Sequence, residues 1–248
     1  MFKIALDAGH GLYTAGKRCL KAIDPNETRE WWLNDRICDK VESMLKAYDG
    51  YALLRVDDTT GKNDVPLVTR TTNANKWGAD FYLSVHHNAV DPKSYTLVNG
   101  IKCLNGGGIV AIVYTKASQK SKDYQKLIYN ELIKETALKG NRSTPMPQQN
   151  LHVCRETNMP AVLVELGFMD SAFDTKIILT EKFADECATA LVNSLVKIGG
   201  LSKKKVEAPK EDASGRIYRV QVGAYSVKAN ADALAKKLIA DGYDAIVV

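Results

Sequence analysis

Three stretches of this chain run apolar and then end on a histidine or a carboxylate, and no other feature narrows the fold as much. They are Phe2-Lys3-Ile4-Ala5-Leu6-Asp7-Ala8-Gly9-His10-Gly11, Asp80-Phe81-Tyr82-Leu83-Ser84-Val85-His86-His87-Asn88, and Ala161-Val162-Leu163-Val164-Glu165-Leu166-Gly167-Phe168. Strands that are apolar on both faces imply a parallel sheet covered by helices. In such sheets ligands gather outside the carboxyl ends of the strands. Two histidines and a glutamate delivered to one sheet edge make a metal site the first hypothesis.

The intervening sequence supports that layout. Helical periodicity spans residues 29–48, with Leu33, Ile37, Val41, Met44, Leu45 and Tyr48 on one face, and recurs at 66–77, 121–138 and 182–198. Apolar runs at 51–56 and 109–114 add strands, and residues 90–108 read as a long loop. Alternating strands and helices of these lengths predict an α/β domain over residues 1–199. Residues 200–215 are polar, carry Lys203-Lys204-Lys205 and Pro209, and read as a linker. Residues 216–248 read as one small β-α-β module: strand Tyr218–Val222, helix Lys228–Asp241 and strand Ala245–Val248.

Composition excludes several classes. With 45% hydrophobic residues the chain can bury a full core without a metal or disulfide to fold. Its five cysteines are scattered and form no C-x-x-C pair, so buried reduced thiols are expected. No apolar run approaches a membrane span. A strand begins at once with no basic and apolar leader before it, so the expectation is synthesis in the cytoplasm without a signal peptide, and action elsewhere only after release or non-classical export. The formal charge of +5 fits an anionic partner such as a cell wall, although a solubility surface is the commoner meaning.

Side-chain parity sharpens the metal hypothesis. Ser84, His86 and Asn88 share one strand face, whereas His87 lies on the other with Leu83 and Val85, so His86 is the expected ligand. Glu30 and Asn34 share a helical face, although an acid there also suits a helix N-terminus. His152 either lines a groove or caps a loop, and the loop is favoured. Gly106-Gly107-Gly108 lacks the frame of a phosphate-binding loop, and nothing marks a nucleic-acid interface.

Taken together, Asp7-Ala8-Gly9-His10-Gly11, Glu30-Trp31-Trp32-Leu33-Asn34, Arg70-Thr71-Thr72-Asn73-Ala74-Asn75, Ser84-Val85-His86-His87-Asn88 and Pro160–Phe168 resemble the zinc-dependent N-acetylmuramoyl-L-alanine amidase family, from Phe2 to about Ile198. The resemblance implies a twisted, mostly parallel sheet with helices on both faces. It also implies one zinc ion on His10, Glu30 and His86, Glu165 as the catalytic carboxylate, and peptidoglycan as substrate. Asn34, Arg70, Asn88 and His152 are the candidates for contacting that substrate. Such a ligand set leaves one tetrahedral position open, the arrangement of catalytic zinc, and apolar neighbours should raise the Glu165 pKa. Asp7 either orients His10 or makes a turn hydrogen bond.

The tail, Tyr218-Arg219-Val220-Gln221-Val222-Gly223-Ala224-Tyr225-Ser226 with Gly242-Tyr243, is similar to the first half of a SPOR module, which is implicated in peptidoglycan binding. Either the sequence is cut short there or two copies pair through residues 216–248 as a homodimer. The expected function is a zinc amidase cutting between N-acetylmuramic acid and L-alanine, a phage endolysin before a bacterial autolysin. A zinc carboxypeptidase acting on stem peptides and a non-catalytic wall-binding protein are the alternatives.

Overall fold

The computed structural model describes residues 1–90, 95–138, 143–205 and 220–247. Two compact units divide the chain, Met1–Lys204 and Lys205–Val248. The first contains β1 (Phe2–Ala8), α1 (Glu30–Leu45), β2 (Tyr48–Asp49), β3 (Tyr51–Arg55), α2 (Leu67–Trp77), β4 (Phe81–Asn88), β5 (Tyr95–Val98), β6 (Ile101–Leu104) and β7 (Ile109–Ile112). It continues with α3 (Gln119–Glu135), α4 (His152–Arg155), β8 (Ala161–Phe168), α5 (Thr175–Ile178), α6 (Glu181–Gly199) and β9 (Ser202–Lys203). Within the second unit α7 (Lys228–Ala240) is the helix among the described residues. No helix of the described residues is long and apolar enough to cross a membrane.

The main sheet has the order β3-β1-β4-β8-β7. Its first four strands are parallel, and β7 runs antiparallel on the edge beside β8. Alternate side chains feed two cores. Ile4, Leu6, Phe81, Leu83, Val162 and Val164 face α1, α3 and α6, while Ala5, Tyr82, Leu163 and Val110 face α2 and α4. Leu33, Ile37, Val41 and Leu45 of α1 are fully buried in the first core, each worth roughly 2 kcal/mol of transfer free energy. Met44, expected on that face, is exposed instead. Pro66 precedes the first turn of α2, and Gly78 ends it in the left-handed region at φ 69°, which glycine adopts without strain. All five cysteines are free and buried.

Three expectations need correction. The described part of the expected loop 90–108 contains a hairpin, β5 with β6, closed by Asn99 and Gly100 at φ 49° and 78°. Both positive values suit a two-residue primed turn, and Asn-Gly between apolar runs is its strongest sequence signal. Residues 200–204, read as the start of the linker, belong to the first unit, because Leu201 is buried and β9 pairs with β2. The tail strands expected at 218–222 and 245–248 are not formed at 220–222 or 245–247. Residues 218, 219 and 248 lie outside the described residues. A strand requires a hydrogen-bonded neighbour, and Val220, Val222 and Ile246 are exposed without one among the described residues.

Candidate metal centre

The carboxyl ends of β1, β4 and β8 lie side by side in the sheet, so residues remote in sequence arrive at one edge. Parallel pairing sets His86 of β4 directly against Glu165 of β8. Past the end of β1, His10 adopts a left-handed φ of 67°, uncommon for a residue with a side chain. Gly9 before it lies against the His86 imidazole, where an added Cβ would come within 2.0 Å of the ring. The two imidazoles meet edge to face at a centroid separation of 5.0 Å.

Glu30 enters from the first turn of α1 and is 1% exposed. Its Oε1 lies 3.0 Å from His86 Nδ1 and 3.4 Å from His10 Nε2, and it accepts the His87 backbone N–H at 3.3 Å. Glu30 Oε2 is buried and has no hydrogen-bond partner among the described residues, although the Lys17 ammonium approaches to 3.6 Å. One ligand atom from each of His10, Glu30 and His86 falls within 4.8 Å of the others. Two imidazoles, one carboxylate and an orphaned carboxylate oxygen fit a small divalent cation of borderline softness.

The electrostatics of His10 agree with that fit. Burial lowers the His10 pKa to about 4, against the opposing pull of Glu30, so its ring is neutral at pH 7 and able to ligate. Burial would raise Glu30, but the hydrogen bond and charge of His86, followed by His10 and Lys17, hold it down to about 2. Burial opposes charging of His86, yet Glu30 outweighs it and raises that imidazole. Glu165 is pushed up to about 7, first by burial and then by the Glu30 charge, with His86 and Lys17 pulling the other way. Its Oε2 is buried without a hydrogen-bond partner among the described residues. A carboxyl titrating near neutrality beside a cation site is matched to proton transfer at working pH.

The remaining candidates sort into bracing and rim. His87 faces the opposite side of β4 from His86 and is buried, with its Nδ1 2.8 Å from Asn34 Oδ1. Asn34 in turn donates to the Gly9 carbonyl at 3.1 Å. That amide therefore leaves its Oδ1 to accept, which places a proton on His87 Nδ1. Asn34 was expected to touch substrate. It is fully buried, and its role is to tie α1 to the Gly9-His10 turn.

Arg70 requires the same correction. It is 1% exposed and donates to Asp7 Oδ1, the Ala8, His10 and Val65 carbonyls and Asp64 Oδ1, leaving no N–H for a ligand. Asp7 also accepts from Ser84 Oγ at 2.7 Å, so it reaches His10 only through Arg70 and the backbone. Asn88 is half-buried at the end of β4. His152 opens α4, with Nε2 3.4 Å from Thr71 Oγ1 on α2. A cavity of about 300 Å³ adjoins the imidazoles of His10 and His86, with Val65, Pro66 and Leu67 on its apolar wall. Trp31 packs inside against Gly61, whereas Trp32 is 43% exposed beneath the Arg36 guanidinium.

Lys17 was missed by sequence reasoning. It sits in an aperiodic polar loop, where hydrophobic pattern says nothing about which side chain turns inward.

Comparison with known proteins follows the same division of the chain. The family described as N-acetylmuramoyl-L-alanine amidase matches residues 4–197, and the SPOR domain family matches residues 214–248. A sporulation-specific N-acetylmuramoyl-L-alanine amidase of Bacillus subtilis is 33% identical, over 100% of this chain and 85% of its own length. An endolysin of Bacillus phage SPP1 is 28% identical over 88% of this chain and 74% of its own. The crystal structure of an N-acetylmuramoyl-L-alanine amidase from Clostridium difficile 630 shares the fold at a TM-score of 0.66 and 24% identity, covering 79% of this chain and 95% of that one.

Proposed function

The chain belongs to the N-acetylmuramoyl-L-alanine amidase family, whose substrate is peptidoglycan, and from that premise we propose a zinc-dependent reaction with one ion held by His10, Glu30 and His86. Three side chains converging on one point, with Glu165 in register beside His86, carry the proposal. When bound, zinc lowers the pKa of a water to about 7 and polarises a carbonyl.

The chain's own groups do the rest. Neutral His10 offers a lone pair without first losing a proton. The Arg70 contacts to the Ala8 and His10 carbonyls fix the turn that presents that ring. Glu165, with a pKa near 7, takes the proton of the attacking water at a carboxylate oxygen and passes it to the leaving amine. The C–N bond between the lactyl carbonyl and L-alanine breaks, leaving a carboxylate on the muramic acid and a free amino terminus on the peptide.

Residues 214–248 match the SPOR family and add a wall-binding module to the catalytic unit. Pairing of two copies through residues 216–248 has no support among the described contacts. The division into a catalytic unit that extends to Lys204, a linker after it and the module is part of this proposal. For biological setting, a cellular wall amidase is favoured by the 33% relative, which spans the whole chain. An endolysin remains the second reading, favoured by the phage relative at 28%. In either setting the site of action is the wall. The test is digestion of purified sacculi with and without a chelator: new L-alanine amino termini should appear, vanish with chelator and return with added zinc. Binding to sacculi without new amino termini would leave only a wall-binding protein.

A further inference from the structure

The Lys17 ammonium is the unabsorbed charge at this site. Its Nζ lies 3.6 Å from Glu30 Oε2, the carboxylate oxygen that neither imidazole approaches within hydrogen-bonding distance. The backbone holds it there, because the Glu30 N–H donates to the Lys17 carbonyl at 3.1 Å and Arg18 bridges to Arg29. Gly16, at φ 75°, supplies the left-handed turn just before it. Lys17 is 44% exposed, whereas Glu30 is 1% exposed, so the lysine has room to withdraw and the carboxylate does not.

We propose that Lys17 is a counter-ion built into the metal site, satisfying Glu30 while no metal is bound and giving way when a divalent cation arrives. The inference rests on the zinc reading of His10, Glu30 and His86. A buried carboxylate between two imidazoles needs positive charge to remain ionised, and a lysine on a flexible stem supplies it reversibly. Zinc and the ammonium compete for the same carboxylate, so Lys17 weakens metal affinity while stabilising the metal-free fold. It is a positioning residue that acts through Glu30.

The experiment titrates zinc against a competing chelator into the full chain and into Lys17→Met, Lys17→Gln and Lys17→Arg, and records melting of each metal-free and zinc-saturated protein. Expected are one equivalent of zinc in every variant and about tenfold tighter binding in the two neutral ones. Their metal-free melting temperature should fall, their zinc-saturated one should match wild type, and the arginine variant should stay near wild type throughout. Unchanged or weaker zinc binding in both neutral variants, with wild type binding one equivalent, overturns the role of Lys17 alone. Absence of stoichiometric binding to wild type overturns the metal reading and this inference with it.

Discussion

Replacing Glu165 by glutamine should make this protein more stable and far less active. The carboxyl is pushed from its ordinary 4.5 to about 7, chiefly by burial. At roughly 1.4 kcal/mol for each tenfold, ionising it in the folded protein costs about 3 kcal/mol more than in the unfolded chain. Because the residue is half-buried and screening reduces the value, a gain of roughly 2 kcal/mol is the reasonable expectation. Below pH 4.5 both states hold the proton and glutamine gains nothing. Between 4.5 and 7 the unfolded chain releases its proton while the folded one keeps it, so wild-type stability falls as pH rises. Above pH 7 the whole penalty is present, and glutamine removes it. For a unit of this size that corresponds to a rise in Tm of roughly 4–8 °C at pH 8. The assay is thermal unfolding of chelator-treated wild type and Glu165→Gln at pH 4.5 and pH 8, with hydrolysis of sacculi measured on the zinc-loaded samples. Turnover should drop by about 10²–10⁴-fold with zinc content unchanged. If the variant gains no stability at pH 8 relative to pH 4.5, burial does not hold that carboxyl in the way described, and its tuning for proton transfer is refuted.

The two adjacent histidines separate cleanly. His86→Ala should abolish stoichiometric zinc binding, whereas His87→Ala should keep it and lose about 1–3 kcal/mol from the unpaired Asn34, as equilibrium dialysis and urea unfolding would show. Arg70→Ala should cost about 3–5 kcal/mol in denaturant unfolding, because Asp7 is left buried beside no cation. Gly9→Ala places a methyl against the His86 ring, so zinc affinity and activity should fall together while the fold, followed by far-UV circular dichroism, persists.

The sheet was legible because each central strand is a short, doubly apolar run with a clear end, and the parity of Ser84, His86 and Asn88 already separated His86 from His87. Glu30, by contrast, has an ordinary explanation at a helix start, and only the approach of β1 and β4 to that helix shows its carboxylate turned inward. Arg70 and Asn34 looked like substrate contacts because polar residues near a site usually are. Their burial depends on which backbone carbonyls the Gly9-His10 turn leaves unpaired, and local pattern does not report that. Lys17 is invisible for the same reason. The hairpin at Asn99-Gly100 did have a local signal, and the surrounding polarity obscured it.

The position of β8 has a consequence for synthesis. It follows β7 in the chain but occupies the slot between β4 and β7, so the ribosome delivers both earlier neighbours before the strand that joins them. The nascent protein therefore carries His10, Glu30 and His86 well before Glu165 can settle beside them. The carboxylate proposed for proton transfer thus joins the three proposed ligands only when β8 inserts between two strands already made.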